Sequence, residues 1–308
     1  MRRRYFPGIT DIMVVTDPAE IRTISNDSRF DRDFIRRGPV RNVQLLRKIL
    51  RIFSLHGRLF AIILPRTNPS RAAAQEELRL RLNVRADEVK HGSAELEPLA
   101  EWVRGIGAEE KVDLLVQQSI GRLFVGTFTA TEESLAAGHM VLEASSSSNV
   151  LKMLGWRLSG RLERAKTLLA SMLNGDLTGL FAMITARQLI DDGLHKMRQL
   201  AADPALRSSL STDAAADECL FAPATVVRQA KTSGEVGGCP FRKGSLFILG
   251  LGSASKGAAN RDLVFLSQSW SRCPAEKWVR SLLEGVWTRI SATLHEPQKT
   301  SRPSLINS

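Results

Sequence analysis

The stretch 178–200 sets the strongest limit on how this chain can fold. It is long, largely apolar and free of proline. Apolar residues recur through it at helical spacing, so it reads as a buried helix at the centre of a helical domain. The segments before it repeat that period. Residues 69–82, 96–105, 110–124, 132–144 and 160–173 each predict a helix. At the front, Ile12-Met13-Val14-Val15 predicts a short strand. Thr16 or Asp17 is placed to cap a helix starting at Pro18, because a cap oxygen satisfies free amides and proline suits the first turn.

The pattern changes after Ala222. Thr225-Val226-Val227-Arg228 is short and β-branched. Gly237-Gly238 and Lys243-Gly244 are turn signals, and residues 245–251 form a strand-like apolar run. Helical period resumes at Ala275 and continues through Trp278, Val279, Leu282, Leu283, Val286 and Ile290. The expectation is a mainly α single domain over residues 1–295 with a small β region. The polar tail 296–308 is expected to fray.

With 43% hydrophobic residues in 308, the chain can bury a sizeable core, which argues against general disorder. Cys219, Cys239 and Cys273 are far apart and show no zinc-type spacing. Together with the lack of a signal-like apolar run behind Met1-Arg2-Arg3-Arg4, this suggests a reducing, cytoplasmic setting. No apolar run reaches the length of a transmembrane span. The net charge of +11 favours anionic partners. Much of the excess lies between Asp31 and Arg66, beside Leu45, Leu46, Ile49, Leu50, Ile52 and Phe53. That segment reads as a basic amphipathic helix packed on its own core. A membrane-surface contact or a docking face for an acidic partner is the other reading. Nucleic acid is not expected, since aromatics are only 6% and no binding motif is present.

The C-terminal motifs occur in a telling order. Ala202-Asp203-Pro204-Ala205-Leu206-Arg207 is followed by Glu218-Cys219-Leu220 and Pro223. Next come Val226-Val227-Arg228-Gln229-Ala230, Gly238, Lys243-Gly244-Ser245 and Asn260-Arg261-Asp262. Ser271-Arg272-Cys273-Pro274-Ala275-Glu276 closes the series. In combination they resemble the haem-binding core of a cytochrome P450 over about residues 202–290. Val14-Val15-Thr16-Asp17-Pro18-Ala19-Glu20-Ile21 with Arg29-Phe30, and Val112-Asp113-Leu114 to Gly126, are similar to earlier parts of that family. The resemblance implies a cytochrome P450-like domain with a truncated N-terminal β part.

It also implies a haem b cofactor, with Cys273 as the iron-ligating thiolate and Arg228 paired with a propionate. Arg272 could reach a propionate as well, and Trp270 could lie over the ring edge or fill the core. Cys219 and Cys239 are expected to be core residues. The implied activity is that of a monooxygenase or a peroxide-using variant. Its hydrophobic organic substrate would lie between the central helix and residues 45–64, and an acidic ferredoxin-type donor would supply electrons.

Three departures from the family pattern bear on this. The usual Phe, glycines and basic residue of the cysteine loop read Leu266, Ser267, Ser269, Ser271 and Ala275. Glu218-Cys219-Leu220-Phe221 lacks the arginine of Glu-x-x-Arg, so Glu218 must find another partner or be solvated. Arg187 and Gln188 stand where the family's central helix carries an acid and an alcohol. That leaves Thr185, one turn earlier, as the candidate oxygen-side residue, and Asp191 and Asp192 as surface charge or helix-pairing partners. These losses keep a second function class open: a haem-free relative acting as a partner or scaffold protein. A basic binder unrelated to haem is a third, marked by steep salt dependence.

Overall fold

The computed structural model describes residues 1–34, 38–90, 92–93, 95–106, 111–147 and 149–292. The tail 296–308 lies outside them.

Strands β1 (Arg2–Phe6) and β2 (Thr10–Val15) form an antiparallel hairpin, and helix α1 (Pro18–Asn26) follows. Asp17 caps α1 through its carboxylate, which accepts from the Glu20 amide at 2.9 Å. Next come β3 (Phe30–Asp31), α2 (Val40–Ile52) and the small hairpin β4 (Ser54–Leu55) and β5 (Arg58–Leu59). The helical layer comprises α3 (Pro69–Lys90), α4 (Leu96–Arg104), α5 (Val112–Arg122), α6 (Glu132–Ser146), α7 (Val150–Ser159), α8 (Arg161–Met172) and α9 (Leu177–Ala202). Short helices α10 (Pro204–Ser209) and α11 (Thr212–Glu218) lead to β6 (Val226–Ala230), β7 (Gly234–Val236), β8 (Cys239–Phe241) and β9 (Leu246–Leu249). The chain ends in α12 (Leu251–Ala254), α13 (Asp262–Phe265) and α14 (Glu276–Ala292).

The expected central helix is α9. It packs against α4, α5, α6, α8, α11 and α14. Asp176 fixes its start by accepting from the Thr178 and Gly179 amides, at 2.8 and 3.1 Å. Thr131 and Ser134 form a reciprocal capping box at α6. The five-stranded sheet has the order β1-β2-β9-β6-β3, with β2 and β9 parallel and the other neighbours antiparallel. Its core, built from Met13, Val15, Phe30, Phe247 and Leu249, is separate from the large helical core around Leu194, Met197, Leu283 and Trp287.

Four differences from the sequence expectations have physical causes. Residues 2–6 add an edge strand that alternation did not reveal, because Arg2-Arg3-Arg4-Tyr5-Phe6 is mostly exposed; such charges guard an edge against further pairing. Helix α7 was not expected, because Leu151 and Leu158 stay exposed and no buried stripe marks it. Cys239 is only half-buried, at the start of β8, whereas Cys219 is buried as expected. Asp191, expected as surface charge or a pairing partner, is buried on α9.

Burial pushes the Cys219 thiol from 9.0 up to about 12. In the unfolded chain this thiol ionises near its ordinary value, so the unfolded state sheds a proton that the native state keeps. Stability is therefore lost as pH rises from about 9 to about 12, by ~1.4 kcal/mol per pH unit. Cys219→Ala is expected to flatten that part of the denaturant-stability profile relative to the parent. An unchanged slope would count against the buried-thiol assignment.

Candidate haem-thiolate site

The cysteine loop runs from the end of α13 to α14. Leu266 closes α13 in the left-handed region, at φ 50°. The Cys273 amide then donates to the Phe265 carbonyl at 2.7 Å and draws the loop shut. Serines occupy the family's glycine positions without taking positive φ. Their hydroxyls brace the turn instead. Ser267 donates to Glu276 at 2.9 Å, the Ser271 amide donates to Ser269 Oγ at 3.2 Å, and the two hydroxyls of Ser269 and Ser271 lie 3.1 Å apart. The loop thus forms without the family's glycines.

Cys273 is a free thiol with solvent-exposed surface. Even so, surrounding protein raises its pKa by desolvation, opposed by the Ala275 amide hydrogen bond and by Arg32. The Ala275 amide precedes α14, so it and the helix N-terminus both favour negative charge on sulfur.

Arginines crowd one side of this loop. Arg228, on β6, has no exposed surface. It donates to the Val227 carbonyl at 3.0 Å and to Ser271 Oγ at 2.5 Å, and its Nε has no partner. Burial, with Arg32 and Arg71 close by, holds its pKa well below the ordinary value. Arg32 is pushed down to about 10 by burial and by Arg71. Arg71 is also buried, and its Nε is unpartnered. Trp270 sits among them, with guanidinium carbons of Arg71, Arg228, Arg32 and Arg66 at 4.5, 5.2, 5.8 and 6.0 Å from its ring centre. The nearby acid is Asp31, already accepting from the Arg32 and Arg66 amides and 3.5 Å from Lys231. Such a concentration of cationic donors suits a ligand carrying carboxylates.

The expected site residues therefore divide. Cys273, Arg228 and Trp270 come together. Arg272 is exposed and lines an outer cavity with Arg66, Arg71 and Arg79. Thr185 Oγ1 donates to the Phe181 carbonyl of its own helix at 2.8 Å. Arg32 and Arg71 were not singled out from sequence; the cationic bias of residues 31–66 was the only signal for the first.

On α9, Arg187 is buried and faces α5 and α6. Its Nη2 donates to His139 Nδ1 at 3.2 Å, and His139 Nε2 lies 3.0 Å from Asp113. Burial raises the Asp191 carboxyl pKa. Glu218 finds its partner in Arg261, at 3.2 Å, and neighbouring Asp217 pairs with both Arg261 and Arg280. Two arginines from other elements thus tie the end of α11 to α13, through Arg261, and to α14, through Arg280, in place of the missing one. Opposite α9, Phe53 and Phe60 meet Phe181 with ring centres 5.6 and 6.4 Å apart. Phe53 and Phe60 thus pack against the central helix.

No family model matches the sequence, and no curated protein matches it. Solved structures do match. P450BioI, in complex with an acyl carrier protein ligated to hexadec-9Z-enoic acid, superposes with a TM-score of 0.57 at 14% identity, over 96% of this chain and 88% of that one. The chain has the cytochrome P450 fold. CYP105N1 from Streptomyces coelicolor A3(2) aligns with a TM-score of 0.57 at 16% identity, over 93% of this chain and 83% of its own. A variant of cytochrome P450 OleT in complex with arachidonic acid gives 0.60 at 12%, over 92% and 81%.

This P450 fold implies haem, and the residues present fit it at two points. Cys273 offers a free thiol supported by an amide, and the unpartnered Nε atoms of Arg228 and Arg71 offer donors for an anionic edge. Among the described residues, no helix alone is long and apolar enough to cross a membrane.

Proposed function

We propose that the protein is a haem-thiolate oxidoreductase acting on a hydrophobic organic substrate. The observation that carries this reading is Cys273: an exposed free thiol just before α14, beside the Ala275 amide, in a P450 fold. Cys273 would hold the iron, and Arg228, Arg32 and Arg71 the propionates. Bound there, haem supplies an iron whose thiolate ligand favours O–O bond cleavage. The chain's own residues do the rest. Half-buried Phe53 and Phe181, backed by buried Phe60, would orient an apolar substrate and exclude water. The Thr185 hydroxyl is the candidate proton donor on the oxygen side; in this structure it donates its hydrogen bond to the Phe181 carbonyl. Arg187 is committed to His139 and Asp113 and carries no proton to that side. That favours a peroxide-using variant, which needs no acid–alcohol relay. In the monooxygenase form, which unlike the peroxide-using variant needs electrons, an acidic ferredoxin-type donor would supply them over the basic face of residues 31–66.

A second reading, a haem-free partner protein, is favoured by one contact: Arg228 is already held by Ser271 without any anion. One experiment separates the two. Protein expressed with haem supply should show a thiolate-type band in the reduced carbon monoxide difference spectrum, and Cys273→Ser should abolish it. If the purified protein takes up no haem on reconstitution, the haem-free reading stands.

A further inference from the structure

The five-stranded sheet ends at β1, whose second edge pairs with no strand among the described residues. The haem-side arginines lie toward the other end: Arg228 is on β6 and Arg32 follows β3. Four strand spacings, about 19 Å, separate β1 from β3. We propose that β1 is a docking edge for an extended acidic segment of a partner protein, which joins the sheet as a sixth strand.

The backbone offers the bonds. The Ile9 amide donates to the Phe6 carbonyl at 3.0 Å, so Phe6 turns its backbone toward β2. Phe6 stands opposite Thr10, and the register continues through Tyr5 with Asp11, Arg4 with Ile12 and Arg3 with Met13. Backbone bonding alternates along an antiparallel pair, so Arg3 and Tyr5 turn their amides and carbonyls outward. Among the described residues no other backbone group meets them. A strand added beside β1 takes up all four groups.

Side chains decide which strand fits. Arg2, Arg4 and Phe6 share one face, because alternate residues of a strand point the same way. Arg2 and Arg4 are exposed and make no ion pair among the described residues. Phe6 is 59% exposed, and Ile9, in the turn beside it, is 43% exposed. On the other face Arg3 is already paired with Asp11, and the Tyr5 ring has the guanidinium groups of Arg3 and Arg242 at 4.6 and 5.7 Å from its centre. An antiparallel partner strand therefore reads apolar, any, acid, any, acid. Its apolar residue meets Phe6 and its acids meet Arg4 and Arg2. A second copy at this edge would set arginines against arginines, which is repulsive. An apolar bilayer would leave the outward backbone groups unsatisfied. The charges that keep this edge from pairing with itself thus select an acidic strand.

The test uses the full chain and a capped, fluorescently labelled peptide, Thr-Phe-Thr-Glu-Thr-Glu-Thr. Anisotropy titration is expected to show saturable binding. Arg2→Glu combined with Arg4→Glu should weaken it about tenfold, since two attractive pairs become repulsive. Arg161→Glu, on α8, should leave it unchanged. N-methylation of the second and third threonines removes the two peptide amides that face β1. It should weaken binding about as much, an effect that charge attraction alone does not give. All three arginines are exposed, and thermal melts confirm that the variants stay folded. The proposal is overturned by absence of saturable binding, by equal binding of the N-methylated peptide, or by equal binding to the double variant. It is also overturned if phosphatidylglycerol vesicles are bound in place of the peptide, or if the chain forms a dimer that the double variant dissociates.

Discussion

Arg228→Met is expected to leave the haem-free protein at least as stable as the parent while cutting haem uptake about tenfold or more. The two effects have one origin. Arg228 has no exposed surface, its Nε is unpartnered, and its nearest charges include Arg32 and Arg71. Its depressed pKa says that the folded environment disfavours the charged form. Replacing such a group with an apolar side chain of similar length is commonly neutral or stabilising, by ~1–4 kcal/mol. Against that stand the hydrogen bonds to the Val227 carbonyl and Ser271 and the contact with the Trp270 ring. Ser271 keeps Ser269 as a partner after the change, so its hydroxyl is not orphaned. In the presence of haem the sign reverses, because the propionates lose their most buried cationic partner. Denaturant melts without haem and a haem titration read the two halves. If Arg228→Met were strongly destabilised yet took up haem normally, Arg228 would be a structural anchor and not a cofactor contact.

Local signals made much of this fold legible. Asp17 was read as a cap and α1 starts behind it, while Thr131 and Asp176, which were not singled out, cap α6 and α9 close to the starts that periodicity gave. The cysteine loop and Arg228 were legible because β6, β9 and α14 follow one another in the order the motifs imply. What remained hidden depends on contacts between distant segments. Arg32, Arg66 and Arg71 lie on a strand end, a loop and a helix, and only the fold brings them to one tryptophan. No spacing rule distinguishes them from the solvated arginines around them. Glu218 was read against an arginine three residues on, whereas its partner is Arg261, far along the chain. Arg272 and Arg228 looked alike as haem contacts; one is exposed at an outer cavity and the other is buried.

The same small change should also have opposite signs at two helical glycines. In isolation, glycine to alanine stabilises a helix interior by about 1 kcal/mol, because alanine loses less backbone freedom. Gly155, on α7, has nothing within 4 Å of where a Cβ would go, so Gly155→Ala should realise most of that gain. Gly193, on α9, is different. A Cβ there would stand 2.5 Å from the Cys219 carbonyl oxygen and 3.8 Å from Leu283. The first obstacle is backbone, at the end of α11, and cannot rotate away. Either α9 or the 219–223 connection must move, at a cost of ~1–3 kcal/mol or more that outweighs the helical gain. We expect Gly193→Ala to be destabilising by ~2 kcal/mol, read as a lower denaturant midpoint at unchanged slope. The shift would also reach the site. Asp217, two residues before that carbonyl, holds Arg261 and Arg280, and Arg280 lies on the helix that follows Cys273. Haem retention should therefore fall in Gly193→Ala and stay at the parental level in Gly155→Ala. A neutral or stabilising Gly193→Ala would mean that the close approach of α9 to α11 does not constrain the core.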